Sequence, residues 1–259
     1  FLADISETFD SPNDGKYRIY AGGTPLEEAA DSINGKVTMT VAPYASAKTF
    51  LWIKEHYSGE HVSMPTPMGI AKTDEFLLKL SELFEKPVPA SLKAERGRAI
   101  DAITDAHQYM HGKKFAVYGD PDQLLGFVSF LLEMGATPYH ILCSKGSKKL
   151  ERELRTLLNA SPYGKSGQIY MNRDLWHLRS LCMTDPVDGL IGDTHGKYIA
   201  RDAKIPLLRF GFPVFDRVNT HRRPLIGYQG AVRMLTDICN KFLDVVDETS
   251  DDAHFEMMR

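Results

Sequence analysis

Asp101 and Asp105 are the residues whose type and spacing point most directly to chemistry. They stand four residues apart in a segment with helical periodicity, so both carboxylates project from one helical face. Like charges at this spacing repel each other by about a few tenths of a kcal/mol, which a hard divalent cation would relieve. Such a cation takes about six or more oxygen ligands, so a partner chain would have to supply the rest. From spacing alone, a solvated acidic face near Arg98 is the simpler interpretation.

Phosphate and dinucleotide motifs are not supported by the sequence. Gly164, Lys165 and Ser166 resemble the end of a P-loop, but Asn159 stands where the leading glycine should be. The tripeptide also follows a helical pattern, whereas a P-loop follows a strand. No G-x-G-x-x-G fingerprint occurs in the chain. Autonomous nucleotide binding is therefore not expected.

Three further patterns have structural explanations that are simpler than functional ones. Residues 119–121, Gly-Asp-Pro, follow a predicted strand and indicate a strand-to-helix turn capped by the aspartate, with a ligand edge as the alternative. His107 falls on a predicted apolar helix face, which favours a core histidine. A basic loop is predicted to be exposed or to contact another subunit rather than to bind an anion, and it contains Arg217, His221, Arg222 and Arg223.

Composition excludes several classes of protein. The formal net charge of −3 does not suggest a general nucleic-acid binder, and no apolar run approaches the roughly 20 residues that span a bilayer. Cys143, Cys182 and Cys239 are far apart, which argues against a disulfide framework and against a self-contained thiolate metal site. They are expected to be buried thiols of a protein in the reducing cytoplasm.

The positions of these residues depend on an alternation of helix and strand signals from residue 24 onward. Such alternation predicts an α/β protein with parallel sheets flanked by helices. Thr73 is expected to cap one helix, and the helix beginning near Ser91 is expected to bury Ile100, Ile103, His107 and Met110. We expect one layered unit at 1–91, opening with an irregular stretch to residue 23. A second unit is expected at 92–226, and a final helix with an acidic tail at 227–259.

Nine short sequence strings, taken in the order in which they occur, resemble one family of proteins. This family comprises the β subunits of nitrogenase molybdenum-iron proteins, and the resemblance is to the C-terminal half of those subunits. The resemblance runs from Phe1 almost to Arg259 and is carried by the ordered set, because each string is weak alone. The strings are Tyr20–Thr24, Pro65–Gly69, Thr73–Phe76, Pro89–Leu92, Glu95–Arg98, Tyr118–Asp122, Ser161–Lys165, Asp174–Leu181 and Gly211–Arg217.

The resemblance implies Rossmann-like domains of the nitrogenase component 1 type, with residues 1–91 forming the C-terminal part of one domain. It also implies a role in the ATP-dependent reduction of dinitrogen to ammonia, through the P-cluster (8Fe-7S) and the iron-molybdenum cofactor. Neither cofactor is expected to be ligated by this segment, because the family's P-cluster cysteines lie in the N-terminal half of β. The implied partners are the α subunit, the N-terminal half of β, a second β subunit and, transiently, the iron protein; nucleic acid and membrane are not expected.

One site follows from the resemblance. The family holds a cation, iron or calcium, between two β subunits, and two of its ligands are aspartates in the helix after the string at Glu95–Arg98. The matching positions are Asp101 and Asp105, so metal ligation becomes the favoured interpretation of this pair. Three alternatives stay open: a scaffold subunit of nitrogenase cofactor assembly, a protochlorophyllide reductase-like subunit, and an autonomous α/β binding protein with a ligand between its two units.

Overall fold

The computed structural model describes Pro12, Gly15, Lys16 and residues 24–250. Most of the irregular stretch expected to residue 23, the first four residues of the string Tyr20–Thr24 and the end of the acidic tail from Asp251 lie outside the described residues. The chain divides into two compact units between Met64 and Pro65.

The first unit contains a short parallel sheet. Strands β1 and β2 pair from Val37 opposite Glu60 to Thr40 opposite Ser63. Ser46, which precedes the second helix, lies with its hydroxyl oxygen 2.6 Å from the Thr40 hydroxyl oxygen and donates to the carbonyl of Ala42. The elements of this unit are α1 (Leu26–Asp31), β1 (Val37–Thr40), α2 (Ala47–His56) and β2 (Glu60–Ser63).

The second unit is built on a five-stranded parallel sheet in the order β5-β4-β3-β6-β7, with helices around it. Parallel sheets flanked by helices were predicted from the sequence, and this prediction is confirmed. The elements are α3 (Gly69–Phe84), α4 (Ala90–Met110), β3 (Lys114–Tyr118), α5 (Pro121–Glu133), β4 (Thr137–Cys143), α6 (Lys148–Asn159), β5 (Gln168–Met171), α7 (Leu175–Thr184), β6 (Gly189–Gly192), α8 (Lys197–Ala203), β7 (Leu207–Arg209) and α9 (Gly227–Thr249).

The division into compact units differs from the expected boundary at residue 91. Helix α3, which the sequence analysis placed in the first unit, packs against α9 and α5 of the second. The acidic residues Asp247 and Glu248, expected in a tail, are exposed on the last turns of α9. The three-part division at residues 91 and 226 stays a prediction.

Helix α4 presents only part of the predicted face to the core: Met110 is buried and Ile103 packs, partly buried, against a core cluster. Ala99 and Met110 are buried, whereas Ile100 is 39% exposed and His107 is exposed. The prediction of a core histidine is therefore wrong. The reason is that small Ala99 packs in a cluster with Ile70 and Tyr228, which rotates the contact stripe by one residue.

The start of helix α3 is capped from a distant part of the chain. Glu133, at the end of α5, accepts hydrogen bonds from the backbone N–H groups of Ile70 and Ala71, each at 2.8 Å. Burial raises the pKa of Glu133, an effect that the two N–H groups oppose. Thr73 was expected to be the cap, but it lies inside the helix, where its hydroxyl donates to the carbonyl of Gly69. A Cβ on Gly69 would lie 2.4 Å from a Glu133 carboxylate oxygen, so glycine makes this approach possible.

Replacing Glu133 with alanine should lower the free energy of unfolding by about 1–2 kcal/mol, because two backbone N–H groups at the helix start lose their acceptor. The matched control is Glu82→Ala, which removes an exposed carboxylate of α3 paired with Lys79 and should cost about 0.5 kcal/mol or less. Urea unfolding followed by circular dichroism measures both. Equal losses in the two variants would contradict the capping role.

Candidate functional site

Asp101 and Asp105 lie on the outward face of α4. Both are exposed, and helical phase places them opposite the stripe formed by Ala99 and Met110. Within the described part of the chain neither carboxylate has a hydrogen bond or an ion pair, and Arg98 does not pair with Asp101. The same part of the chain contains no group of three or more His, Cys, Asp or Glu arranged to hold a metal. The face therefore offers two oxygen-bearing side chains and an incomplete coordination shell.

The usual ligand crevice of an open α/β sheet is filled here by a side chain. Strands β3 and β6 are neighbours from which the chain proceeds to opposite edges, so their carboxyl ends form the switch point where such sheets bind ligands. The Tyr118 hydroxyl lies 2.9 Å from the carbonyl oxygen of Asp193 and 2.8 Å from its Oδ1. Burial, and then the Asp193 carboxylate, raises the pKa of Tyr118.

Two glycines make room for this tyrosine ring. A Cβ on Gly192 would lie 2.1 Å from the Tyr118 ring, and one on Gly196 would lie 2.7 Å from its hydroxyl oxygen. The sequence analysis did not single out Tyr118, although the four-residue spacing of these glycines is a signal of close packing that could have indicated it.

The remaining patterns have structural roles. Asp120 stands at the N-cap position of α5 with Pro121 next, as predicted for a strand-to-helix turn, although its side chain makes no capping hydrogen bond. Gly164 ends a 3₁₀ turn after α6, and a Cβ there would lie 2.2 Å from the Leu158 carbonyl oxygen. The close approach of the backbone at Leu158 thus explains why a glycine stands here, and no bound phosphate is needed to explain it.

The three described cysteines are buried, as expected, and none is in a disulfide. Burial raises the pKa of Cys182 and of Cys239 to about 11, and that of Cys143 in the same direction. Thiols of this kind are poor metal ligands and poor nucleophiles, because both roles require the thiolate.

Comparison with known proteins decides the family. A family profile described as nitrogenase component 1 type oxidoreductase matches residues 2–243. The chain belongs to this family. The solved structure titled "Nitrogenase Cp1 at pH 6.5" superposes with a TM-score of 0.91 at 34% identity, covering 96% of this chain and 54% of that one. The predicted nitrogenase component 1 fold is therefore confirmed.

Curated relatives in the nitrogenase component 1 family agree with the predicted resemblance. The nitrogenase molybdenum-iron protein beta chain of Nostoc sp. is 47% identical over 263 residues, which cover all of this chain and 51% of the relative. That of Azotobacter vinelandii is 46% identical over 254 residues, covering 95% of this chain and 49% of the relative. The chain thus spans about half the length of the relatives it matches. No helix in the described residues is long and apolar enough to cross a membrane.

Gly192→Ala should destabilise the chain by about 1–3 kcal/mol, because the added methyl group meets the buried Tyr118 ring and overpacks the switch point. Gly119→Ala is the matched control: the nearest atom to its added Cβ is Gln123 Oε1 at 3.7 Å, so its effect should be small. Thermal or urea unfolding distinguishes them. A Gly192→Ala variant as stable as Gly119→Ala would show that the crevice is open.

The three thiols should resist alkylation in the folded protein. At pH 8 a thiol of pKa about 11 holds roughly a hundredfold less thiolate than one of pKa about 9, and burial blocks access as well. Iodoacetamide labelling mapped by mass spectrometry should show all three unmodified in the native protein and modified after denaturation. Rapid native labelling at pH 8, unchanged by raising the pH, would contradict the assignment.

Proposed function

We propose that this chain is part of the β subunit of a nitrogenase molybdenum-iron protein and supports ATP-dependent reduction of dinitrogen to ammonia. The observation that carries the proposal is 47% identity, over the whole chain, to a protein named as the molybdenum-iron beta chain. Family membership supports an oxidoreductase assembly but does not by itself select this member. A cytoplasmic location, expected from the free thiols, stays a prediction.

The redox cofactors of such a complex would be held elsewhere. The P-cluster is an iron–sulfur cluster that needs cysteine thiolates, and the residues of this chain do not fit it. Cys143, Cys182 and Cys239 are buried, protonated thiols on separate elements. The part of the chain that the structure describes also lacks a cluster of metal-ligating side chains for the iron-molybdenum cofactor. We therefore assign to this segment a framework role with subunit contacts, and no electron-transfer step.

Asp101 and Asp105 do fit half of a site for a hard cation. They are two exposed, unpartnered carboxylates on one helical face, and oxygen ligands suit calcium or ferrous iron. We propose that they bind a divalent cation at the interface with a second β subunit, whose N-terminal half completes the shell. The α subunit and, transiently, the iron protein would be the other partners.

Two other assemblies are less well supported. A scaffold subunit of cofactor assembly or a protochlorophyllide reductase-like subunit would share this fold, but eight relatives at 43–47% identity carry the name nitrogenase molybdenum-iron protein beta chain. The third alternative, an autonomous α/β binding protein with a ligand between its two units, receives no support from these relatives, which are named as chains of a molybdenum-iron protein.

Asp101→Ala combined with Asp105→Ala should remove the interface cation and raise the dissociation constant of the β–β contact roughly tenfold or more, equivalent to about 1.4 kcal/mol. The matched control is Asp244→Ala with Glu248→Ala, which removes another exposed carboxylate pair of the same spacing from α9. Elemental analysis for iron and calcium measures the cation in the purified complex, and sedimentation measures its association.

The two readouts also separate the proposals. Unchanged metal content and unchanged association in the Asp101/Asp105 variant would contradict the proposed metal site, but they would not affect the proposed role as part of a nitrogenase β subunit. A complex purified with this chain that contains neither molybdenum nor an iron–sulfur cluster would instead overturn the nitrogenase role.

A further inference from the structure

A cavity of about 230 Å³ lies at the carboxyl end of β7, between the loop that follows this strand and the first half of α9. Four arginines line it, one from β7, one from α9 and two from the loop: Arg209, Arg233, Arg217 and Arg223. Two of these belong to the basic loop that the sequence analysis interpreted as an exposed loop or a subunit contact. The structure adds Arg209 and Arg233, which the sequence pattern did not group with them.

The described carboxylates compensate only half of the positive charge around the cavity. Asp216 receives a bidentate pair of hydrogen bonds from Arg209, each at 2.9 Å, and lies 3.6 Å from Arg217. Asp237 pairs with Arg223 at 2.6 Å and with Arg233 at 3.3 Å. Among the residues that the structure describes, four guanidinium groups therefore share two carboxylates, which leaves two positive charges in excess around one concavity.

The inner arginine is held rigidly in place. Arg233 donates from Nε to Asp237 and from Nη1 to the carbonyl oxygens of Arg223 and Pro224, and its side chain is only 12% exposed. Burial first, and then the charge of Arg223, lowers the pKa of Arg233. Asp216 is fixed as well, because the Thr194 hydroxyl donates to it at 2.9 Å. A guanidinium group held in this way needs little further ordering when its remaining N–H groups bind a ligand.

We propose that this arginine-lined cavity binds a small doubly charged oxyanion, of which inorganic phosphate and sulfate are representatives. Guanidinium groups form paired hydrogen bonds to such oxyanions, and two negative charges would match the excess of two positive ones. The volume lies below the range of about 300–1,000 Å³ typical of larger organic ligands, so a nucleotide is not expected. The proposal does not depend on the function proposed above.

The test is equilibrium dialysis of the complete protein, in the complex in which it is isolated, against radiolabelled inorganic phosphate at constant ionic strength. Phosphate should bind saturably, sulfate should compete, and the monoanion acetate should compete at least tenfold less well. Arg217→Gln with Arg223→Gln should weaken phosphate binding tenfold or more. These side chains are 56% and 49% exposed, so their replacement leaves the packed arginines in place.

The matched control is Arg152→Gln with Arg155→Gln, which removes two exposed arginines from α6 and should leave phosphate binding unchanged. Should the cavity variant fail to fold, Arg217→Lys provides the second test, since it keeps the charge but loses the fork and should weaken binding by a smaller factor. Absence of saturable phosphate binding, or equal binding by the cavity and control variants, would overturn the proposal. In that case the arginines would be left to pair with acidic side chains of a partner.

Discussion

The carboxylate of Asp74 is the interaction on which the helical side of the second unit depends. It accepts from Arg96 Nε, at 2.9 Å to each of its oxygens, and from the Tyr228 hydroxyl at 2.6 Å. These three residues belong to α3, α4 and α9, so one charged group holds three helices in register. The hydrogen bond to Asp74 raises the pKa of Arg96, while burial followed by Asp74 raises that of Tyr228. The charge-assisted bonds are therefore present throughout the neutral range.

This constraint determines what α4 can present to a partner. With Tyr228 held against Asp74, small Ala99 lies beside it in the core, and the rotation of the helix follows. Asp101 and Asp105 then face outward without partners. Glu133 at the end of α5 provides a second link, because its carboxylate caps α3 and so joins these two helices. The proposed half-site is thus a consequence of packing on the opposite face of α4.

The second unit has the open α/β sheet that often binds ligands, but the switch point where such sheets usually bind them is occupied by a side chain. Tyr118 occupies the switch point between β3 and β6, and Asp193 accepts the hydrogen bond of its hydroxyl. The positively charged cavity lies at the next strand along, where β7 ends. The oxyanion site proposed for this chain therefore differs in position from the one that open α/β sheets ordinarily use.

The sequence alone was sufficient for the fold class and for most elements. Strand and helix periods, together with signals such as Asp120-Pro121, are local, and local patterns predict local structure. The ordered strings determined the family in the same way, and the spacing of Asp101 and Asp105 determined that they share a face. What required the tertiary structure were relations between distant residues. Glu133, and not Thr73, caps α3, and the packing of Ala99 on Ile70 and Tyr228 leaves His107 exposed. Tyr118 occupies the switch point, and Arg209 and Arg233 line the same cavity as two arginines of the basic loop. Each of these depends on side chains that approach through space from far along the chain, and a pattern along the sequence carries no record of that approach.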